Sequence, residues 1–518
     1  MTFTTRKIRD ERPPSRWKTM LLSASPYALR FGGLFVALYG KWKIRHEEDE
    51  LKARRVRILK RIAVILIAVL FGLMIVAGTV KALVSLRIIT LQTFFSVAGA
   101  DLPADKDGFT NILLLGAGDK DHDGVDLTDS MMVVSLDPDD TKSAVMLSLP
   151  RDLYMLSTEK MGKGRINELY RNHKGYLRRT EDLTGAEASP LALKELAAEI
   201  GRKLGMEIHR VAKVDFTAFV DGVDALGGVD ITVPYDIVDT EYPGPNYTYE
   251  TFEIRQGPQH LDGETALKYA RSRHTTSDFG RSARQQQLLT ALGEKARAQG
   301  IARSPATITQ LLKTLSEHVE TTMTFAEVLG AAKLGEKIDR EKMISMNLNI
   351  ETGIDTPFAV PGGFLYTPPR DQFDGASVLL PYSIPEYPVT WKQIQAFVQV
   401  LLHDREMLLA KPQIQILNAG AKSGTARILG NELVRYGFDN VADPQNASDD
   451  RKNPLKLPAT IVVARTPEDK KTAEFFADVL GLPMGPLPPE ILPEKQGQVT
   501  IVLGTDYAYR PLQDLILK

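Results

Sequence analysis

The chain has 518 residues, room for two or three domains, and sets 64 Lys+Arg against 65 Asp+Glu for a net charge of −1. That balance gives no case for nucleic-acid binding, which usually leaves a basic footprint. The lack of cysteine excludes disulfides, thiol nucleophiles and thiolate metal sites, and none of the eight histidines forms an HExxH pair.

Ile62 to Val80 (IAVILIAVLFGLMIVAGTV) is an uncharged apolar run. As a helix it spans about 28 Å, close to a bilayer core. It is too internal for a cleaved signal peptide. Lys52, Arg54, Arg55, Arg57, Lys60 and Arg61 precede it, whereas only Lys81 and Arg87 follow nearby. The positive-inside rule then predicts a single-pass cell-membrane protein, with residues 1–61 cytoplasmic and everything after Val80 extracytoplasmic. A buried core helix is the competing reading. Ala28 to Tyr39, broken by Arg30, Gly32 and Gly33, reads as interfacial or as a second weak hydrophobic segment.

Residues 81–107 read as a stalk. Asn111 to Gly116 (NILLLG) predicts a buried strand, and Met131 to Leu136 and Ala144 to Leu149 predict two more around Asp-Pro-Asp-Asp. Helical spacing covers Leu191 to Leu204, stopped by Gly205. A short strand at Val211 to Val214, a helix at Thr217 to Leu226 and a strand at Val229 to Val233 follow, then helices at Gly263 to Arg271 and Gly280 to Arg297. This alternation predicts an α/β fold, an α-β-α sandwich with a central mixed sheet, over residues 108–300. Residues 301–410 read as an extension and linker, with more helix and a Pro/Gly-rich stretch from Thr356 to Pro388. Strands at Ile414 to Leu417, Thr460 to Ala464 and Val499 to Leu503, alternating with helices at Ser423 to Tyr436 and Pro467 to Leu480, predict a small α/β domain over 411–510. Its Asn418-Ala419-Gly420 turn is either an anion site at a helix start or a plain structural turn.

The densest chemistry lies in Arg271 to Gln286 (RSRHTTSDFGRSARQQ), which carries Arg271, Arg273, Arg281 and Arg284 beside Asp278. A second cationic signature, Pro150-Arg151-Asp152, follows the third strand. Arginine grips phosphate with two parallel hydrogen bonds and keeps its charge. Several arginines converging on one pocket imply a ligand with more than one phosphate; otherwise the stretch is a solvated helix face.

The ordered motifs resemble the LytR-CpsA-Psr (LCP) family. They are NILLLG, Thr128-Asp129-Ser130-Met131-Met132, Leu149-Pro150-Arg151-Asp152, Arg165-Ile166-Asn167, Val214-Asp215-Phe216, Asp224 to Val229, Leu261-Asp262-Gly263, Arg271-Ser272-Arg273, Asp278, Gly280-Arg281 and Arg284-Gln285. The unit from about 412 to 508, ending in Leu503-Gly504-Thr505-Asp506-Tyr507, resembles the LytR C-terminal domain. The resemblance implies a membrane-anchored phosphotransferase. It would move a glycopolymer from an undecaprenyl-pyrophosphate carrier onto a cell-wall acceptor, usually peptidoglycan, leaving a phosphodiester. The partners implied are that lipid-linked polymer, peptidoglycan and membrane lipid, with no nucleic acid.

On this resemblance Arg151, Asp152, Arg271, Arg273, Asp278 and Arg281 are expected to be catalytic. Arg165, Asn167, Arg284 and Gln285 are expected to bind substrate, and Asp129 with Asp119 to hold Mg²⁺. Mg²⁺ takes few protein carboxylates plus phosphate oxygens and waters. Asp152 and Asp278 each have two readings, orienting an arginine or accepting a proton from the acceptor hydroxyl. The sequence departs from the family pattern at Gly118, where an aspartate is usual, and at Leu127, where an arginine is usual. Asp119, Asp121, Asp123 and Asp126 are the available substitutes, Asp119 nearest. Two other functions use the same features: a lipid-pyrophosphate hydrolase, or a non-catalytic envelope binding or regulatory protein.

Overall fold

A computed structural model describes residues 101–119, 124–244, 248–273, 278–301, 304, 307–308, 315, 317–350, 360–382, 389–450 and 452–517. The apolar run at 62–80 lies outside them, as does the segment at 28–39. Among the described residues no helix is long and apolar enough to cross a membrane. Leu91–Lys518 form one compact unit, distinct from Met1–Thr90.

The central sheet starts from β1 (Thr110–Ala117), β2 (Thr128–Asp137) and β3 (Ser143–Leu149), each within a few residues of its expected place. Behind them come α1 (Ile166–Thr180), α2 (Gly185–Leu204), β4 (Arg210–Val214) and α3 (Phe216–Ala225). Next are β5 (Val229–Val233), β6 (Ile237–Pro243), β7 (Tyr249–Ile254), β8 (Gly257–Leu261), α4 (Gly263–Arg271) and α5 (Asp278–Ala298). The extension contributes β9 (Val319–Thr321), α6 (Phe325–Lys337) and β10 (Met343–Asn347).

The sheet runs β9-β4-β1-β2-β3-β10. β1 is antiparallel to β2 and parallel to β4; β3 is antiparallel to β2 and parallel to β10. This is the expected mixed sheet, with one correction. The sheet does not end within residues 108–300: the stretch expected as an extension and linker supplies β9 and β10, which form both its edges. Strand alternation places Leu113, Leu115, Met131 and Val133 against α1, α2 and a later helix, α7 (Lys392–His403). Ile112, Leu114 and Leu136 face the opposite way, toward Ile338 and Leu334 at the end of α6. Helices therefore cover both faces. β5 is outside this sheet and pairs with β8, within a second cluster holding α3, α4 and α5.

The helix expected from Leu191 begins earlier, at Gly185, and stops where expected. Thr184 and Glu187 form a reciprocal capping box at the start of α2, and Gly205 ends it at φ +72°. After α8 (Arg405–Ala410) come β11 (Ile414–Asn418), α9 (Thr425–Arg435), β12 (Gln445–Asn446), β13 (Ile461–Ala464), α10 (Lys470–Leu480), β14 (Val499–Leu503) and α11 (Leu512–Ile516). Their sheet has the order β12-β11-β14-β13. It shares one apolar core with the first sheet, joined where Phe364, Phe397 and Tyr436 pack edge to face and tilted.

Candidate active site

The carboxyl ends of the parallel strands β1, β4, β3 and β10 and the start of the antiparallel β2 lie at one end of the sheet. There the β1–β2 register slips: Gly116 faces Ser130 and Ala117 faces Thr128, which leaves Asp129 as the extra, bulged residue. A bulge re-aims its side chain out of the ladder's alternation. Close approach helps to hold it, since a Cβ on Gly116 would stand 3.1 Å from Ser130 Cβ.

Asp129 is the meeting point. Its Oδ1 accepts from Asn167 Nδ2 at 2.9 Å, and its Oδ2 accepts from Arg151 Nη1 at 3.3 Å. Its backbone carbonyl accepts from Arg281 Nη2 at 3.2 Å. Asn167 sits in the first turn of α1, and its amide reaches the Arg151 carbonyl at 3.4 Å. Asp152 lies between two arginines, 3.8 Å from Arg151 Nε and 3.7 Å from Arg165 Nη1. Arg165 also pairs with Glu168, and that hydrogen bond raises the guanidinium above its usual range. These contacts favour the orienting role for Asp152 over that of a base. Two buried atoms beside Asp129, Arg151 Nε and Asn167 Oδ1, carry no hydrogen bond. One is a donor suited to phosphate oxygen, the other an acceptor suited to a cation or its water.

One turn beyond Arg281 on the same face of α5, Gln285 accepts from Ser130 Oγ at 2.7 Å and donates to the Ala270 carbonyl at 3.2 Å. This ties α5 to the end of α4, where Arg271 and Arg273 stand. The Arg271 guanidinium lies 4.1 Å from the Phe216 ring centre and 5.5 Å from that of Tyr242. Asp239, absent from the sequence reading, is 1 % exposed and anchors this turn. It accepts from Ser272 Oγ at 2.8 Å and from the Arg273 amide at 3.0 Å. The side chain of Asp278 lies outside the described residues.

Arg284 differs from the expected substrate contact. It is 3 % exposed, and burial lowers its pKa. Its Nε donates to the Tyr269 carbonyl at 2.8 Å and its Nη2 to the Ser272 carbonyl. It thus pairs buried carbonyls at the end of α4 that the helix leaves without partners.

The acidic loop resolves in two ways. Asp126, at φ +61°, is clamped by Lys213 Nζ at 2.7 Å and Lys174 Nζ at 3.0 Å, and both lysines also reach Glu320. Asp119 accepts from the Thr217 amide at 3.0 Å and gathers with Asp215 and His318, not with Asp129, in a group of three with metal-ligand atoms. Asp121 and Asp123 lie outside the described residues. A Mg²⁺ ion nevertheless fits Asp129: the carboxylate is 45 % exposed, accepts one donor on each oxygen, and has the orphaned Asn167 Oδ1 beside it. That oxygen-only donor set is the kind Mg²⁺ takes.

With this geometry in place, comparison with known families is decisive. The LytR_cpsA_psr family model matches residues 90–367, more than half of the chain. The chain belongs to the LytR-CpsA-Psr family. A second model, the LytR cell envelope-related transcriptional attenuator, matches residues 411–507. Among relatives, the cell wall biosynthesis protein LcpA of Corynebacterium glutamicum is 26 % identical over 415 residues, 74 % of this chain and 71 % of that protein. The polyisoprenyl-teichoic acid–peptidoglycan teichoic acid transferase TagV of Bacillus subtilis is 31 % identical over 232 residues, 44 % of this chain; the chain spans 52 % of that relative's length. Among solved structures, the crystal structure of B. subtilis TagV is 24 % identical, covering 57 % of this chain and 97 % of that one at a TM-score of 0.39. TagT bound to LIIa-WTA is 20 % identical, covering 59 % and 92 % at a TM-score of 0.38.

Proposed function

We propose that the protein transfers a glycopolymer from an undecaprenyl-pyrophosphate carrier to a cell-wall acceptor, peptidoglycan, forming a phosphodiester. One observation carries this reading. Arg151 and Arg281, from distant parts of the chain, meet Asn167 on Asp129 at the sheet's end, with Arg151 Nε making no hydrogen bond. The relatives TagV, TagU and TagT are named as teichoic acid transferases, which supports the same class of chemistry here.

In this reading the acceptor hydroxyl oxygen bonds to the sugar-proximal phosphorus. The P–O bond to the carrier phosphate breaks, and undecaprenyl phosphate leaves. Arg151 and Arg281 hold the pyrophosphate oxygens and neutralise the charge that builds on them. Asp152 keeps Arg151 and Arg165 in place. The hydroxyl proton passes to a carboxylate, with Asp278 the candidate because Asp152 is engaged by two arginines. Mg²⁺, held by Asp129, would supply further positive charge against the phosphates. The apolar run at 62–80 would keep the site near the lipid carrier.

Product analysis on detergent-purified full-length protein tests this. With lipid-linked polymer and peptidoglycan fragments, mass spectrometry should find polymer–phosphate–acceptor and undecaprenyl phosphate, both requiring acceptor and Mg²⁺. Release of polymer phosphate at the same rate without acceptor would establish the hydrolase instead.

A further inference from the structure

Three neighbouring strands, β9, β4 and β1, each deliver one metal-ligating side chain to the same end of the sheet. Asp119 follows β1, Asp215 follows β4 directly, and His318 directly precedes β9. One ligand atom from each lies within 4.8 Å of the others. His318 Nδ1 is 2.7 Å from Asp215 Oδ2. Backbone amides aim the carboxylates: Thr217 N–H donates to Asp119 Oδ1 at 3.0 Å, and Ala218 N–H to Asp215 Oδ1 at 2.9 Å. Asp215 is only 8 % exposed.

The charge balance separates this cluster from the other acids of the site. Asp126, Asp129 and Glu320 each meet a lysine or arginine. Among the described residues neither Asp119 nor Asp215 does; Asp215 meets the His318 imidazole instead. Two converging carboxylates repel each other unless positive charge lies between them. An imidazole from a third segment turns the donor set from oxygen-only to mixed nitrogen and oxygen. Such a set favours a first-row transition ion, whereas Mg²⁺ prefers oxygen and water.

We infer that Asp119, Asp215 and His318 form a binding site for one divalent transition-metal ion of the Zn²⁺ or Mn²⁺ class, separate from the Mg²⁺ site proposed at Asp129. The inference does not depend on the transfer reaction. The ion would fix the first turn of α3 and with it Phe216, the ring on which the Arg271 guanidinium rests. It is therefore a positioning site for Arg271.

The test uses full-length, tag-free protein in detergent, stripped with a chelator and dialysed against Zn²⁺ or Mn²⁺. Metal content by mass spectrometry and affinity by calorimetry are the readouts. Wild type should retain one ion with at least tenfold preference over Mg²⁺. His318→Ala and the milder Asp119→Asn should each lose at least tenfold in affinity while their metal-free melting temperatures match wild type. Asp129→Ala should keep the ion. No retained ion in wild type, equal affinity for Mg²⁺, or unchanged affinity in both His318→Ala and Asp119→Asn would overturn the site. These readouts are of metal binding and not of product formation, so this inference and the transfer reaction fail separately.

Discussion

The two largest sheets among the described residues end in opposite ways. At the carboxyl ends of β1 and β3, side chains leave polar capacity unspent: Arg151 Nε and Asn167 Oδ1 are buried without hydrogen bonds, and Asp129 is half open. At the matching end of β11 and β14 the polar groups consume one another. The Gly420 amide donates to Asn418 Oδ1 at 3.1 Å, Thr460 Oγ1 to Asp506 Oδ1 at 2.7 Å, and the Gly504 amide to Thr460 Oγ1 at 2.9 Å. The Thr505 amide reaches the Leu457 carbonyl at 2.8 Å. Of the two readings of Asn418-Ala419-Gly420, the closed structural turn is the one present. A similar α/β layout thus builds a reactive strand end or a sealed one, depending on where the donors are spent.

The largest effect that tests this contrast is at the open end. Asp129→Ala should abolish Mg²⁺-dependent transfer, measured as product per acceptor, while the fold is retained by circular dichroism. Wild-type turnover with the same Mg²⁺ dependence would place the centre elsewhere. Next, Arg151→Lys and Arg281→Lys should each slow transfer at least about tenfold, since one charge-assisted hydrogen bond contributes roughly 1.5–3 kcal/mol and lysine lacks the planar fork. Full rescue by lysine would reduce these arginines to point charges. At the sealed end, Gly420→Ala should leave turnover unchanged and cost about 1–3 kcal/mol in chemical denaturation. Gly420 sits at φ +125°, and its added Cβ would stand 2.7 Å from Thr505 Cγ2.

The smallest effect concerns acid. Burial alone would raise the Glu320 pKa, but the Lys213 charge and hydrogen bonds from Ser189, Tyr170 and Lys213 bring it down to about 2, from an ordinary 4.5. A carboxylate lowered in the folded state adds stability that is present above pH 4.5 and is lost as the pH falls toward 2. With Glu320 one-third exposed, screening trims the contribution to about 1–2 kcal/mol. Glu320→Gln should therefore flatten the stability–pH curve between pH 4.5 and 2, and an unchanged slope would assign the acid response to other groups.

Much of this was readable in advance because it is local. β1, β2 and β3 are apolar runs, Gly205 is a helix stop, and β5, β14 and α4 fall on their expected bounds. The misses are non-local or polar. β10 earns its place by pairing with β3 some two hundred positions earlier, and β9 by three residues on β4. α1 (INELYRNHKGYLRRT) is mostly polar, with Ile166, Leu169, Tyr170 and Leu177 forming a narrow apolar face at helical spacing, so the Arg165-Ile166-Asn167 motif was read without the element it opens. Within the site, residue type pointed to Arg284 as readily as to Arg281. Both side chains are buried, and only their hydrogen-bond partners show that Arg284 gives its donors to the Tyr269 and Ser272 carbonyls while Arg281 reaches the Asp129 carbonyl. The Asp119–Asp215–His318 group draws on three segments with no shared spacing, so no motif could have joined them.

The bulge at Asp129 has a bearing on how such a site tolerates change in length. Side chains along a strand alternate with a period of two, so the aim of Asp129 is a matter of parity. Removing one residue between Gly124 and Thr128 could be absorbed by straightening the bulge. Asp129 and its partners Asn167, Arg151 and Arg281 would survive, the strand would pair more regularly, and the carboxylate would exchange faces with a neighbour. An insertion or deletion in the loop before β2 is thus more dangerous to this chemistry than most substitutions there, because it alters the count while leaving every residue that meets Asp129 in place.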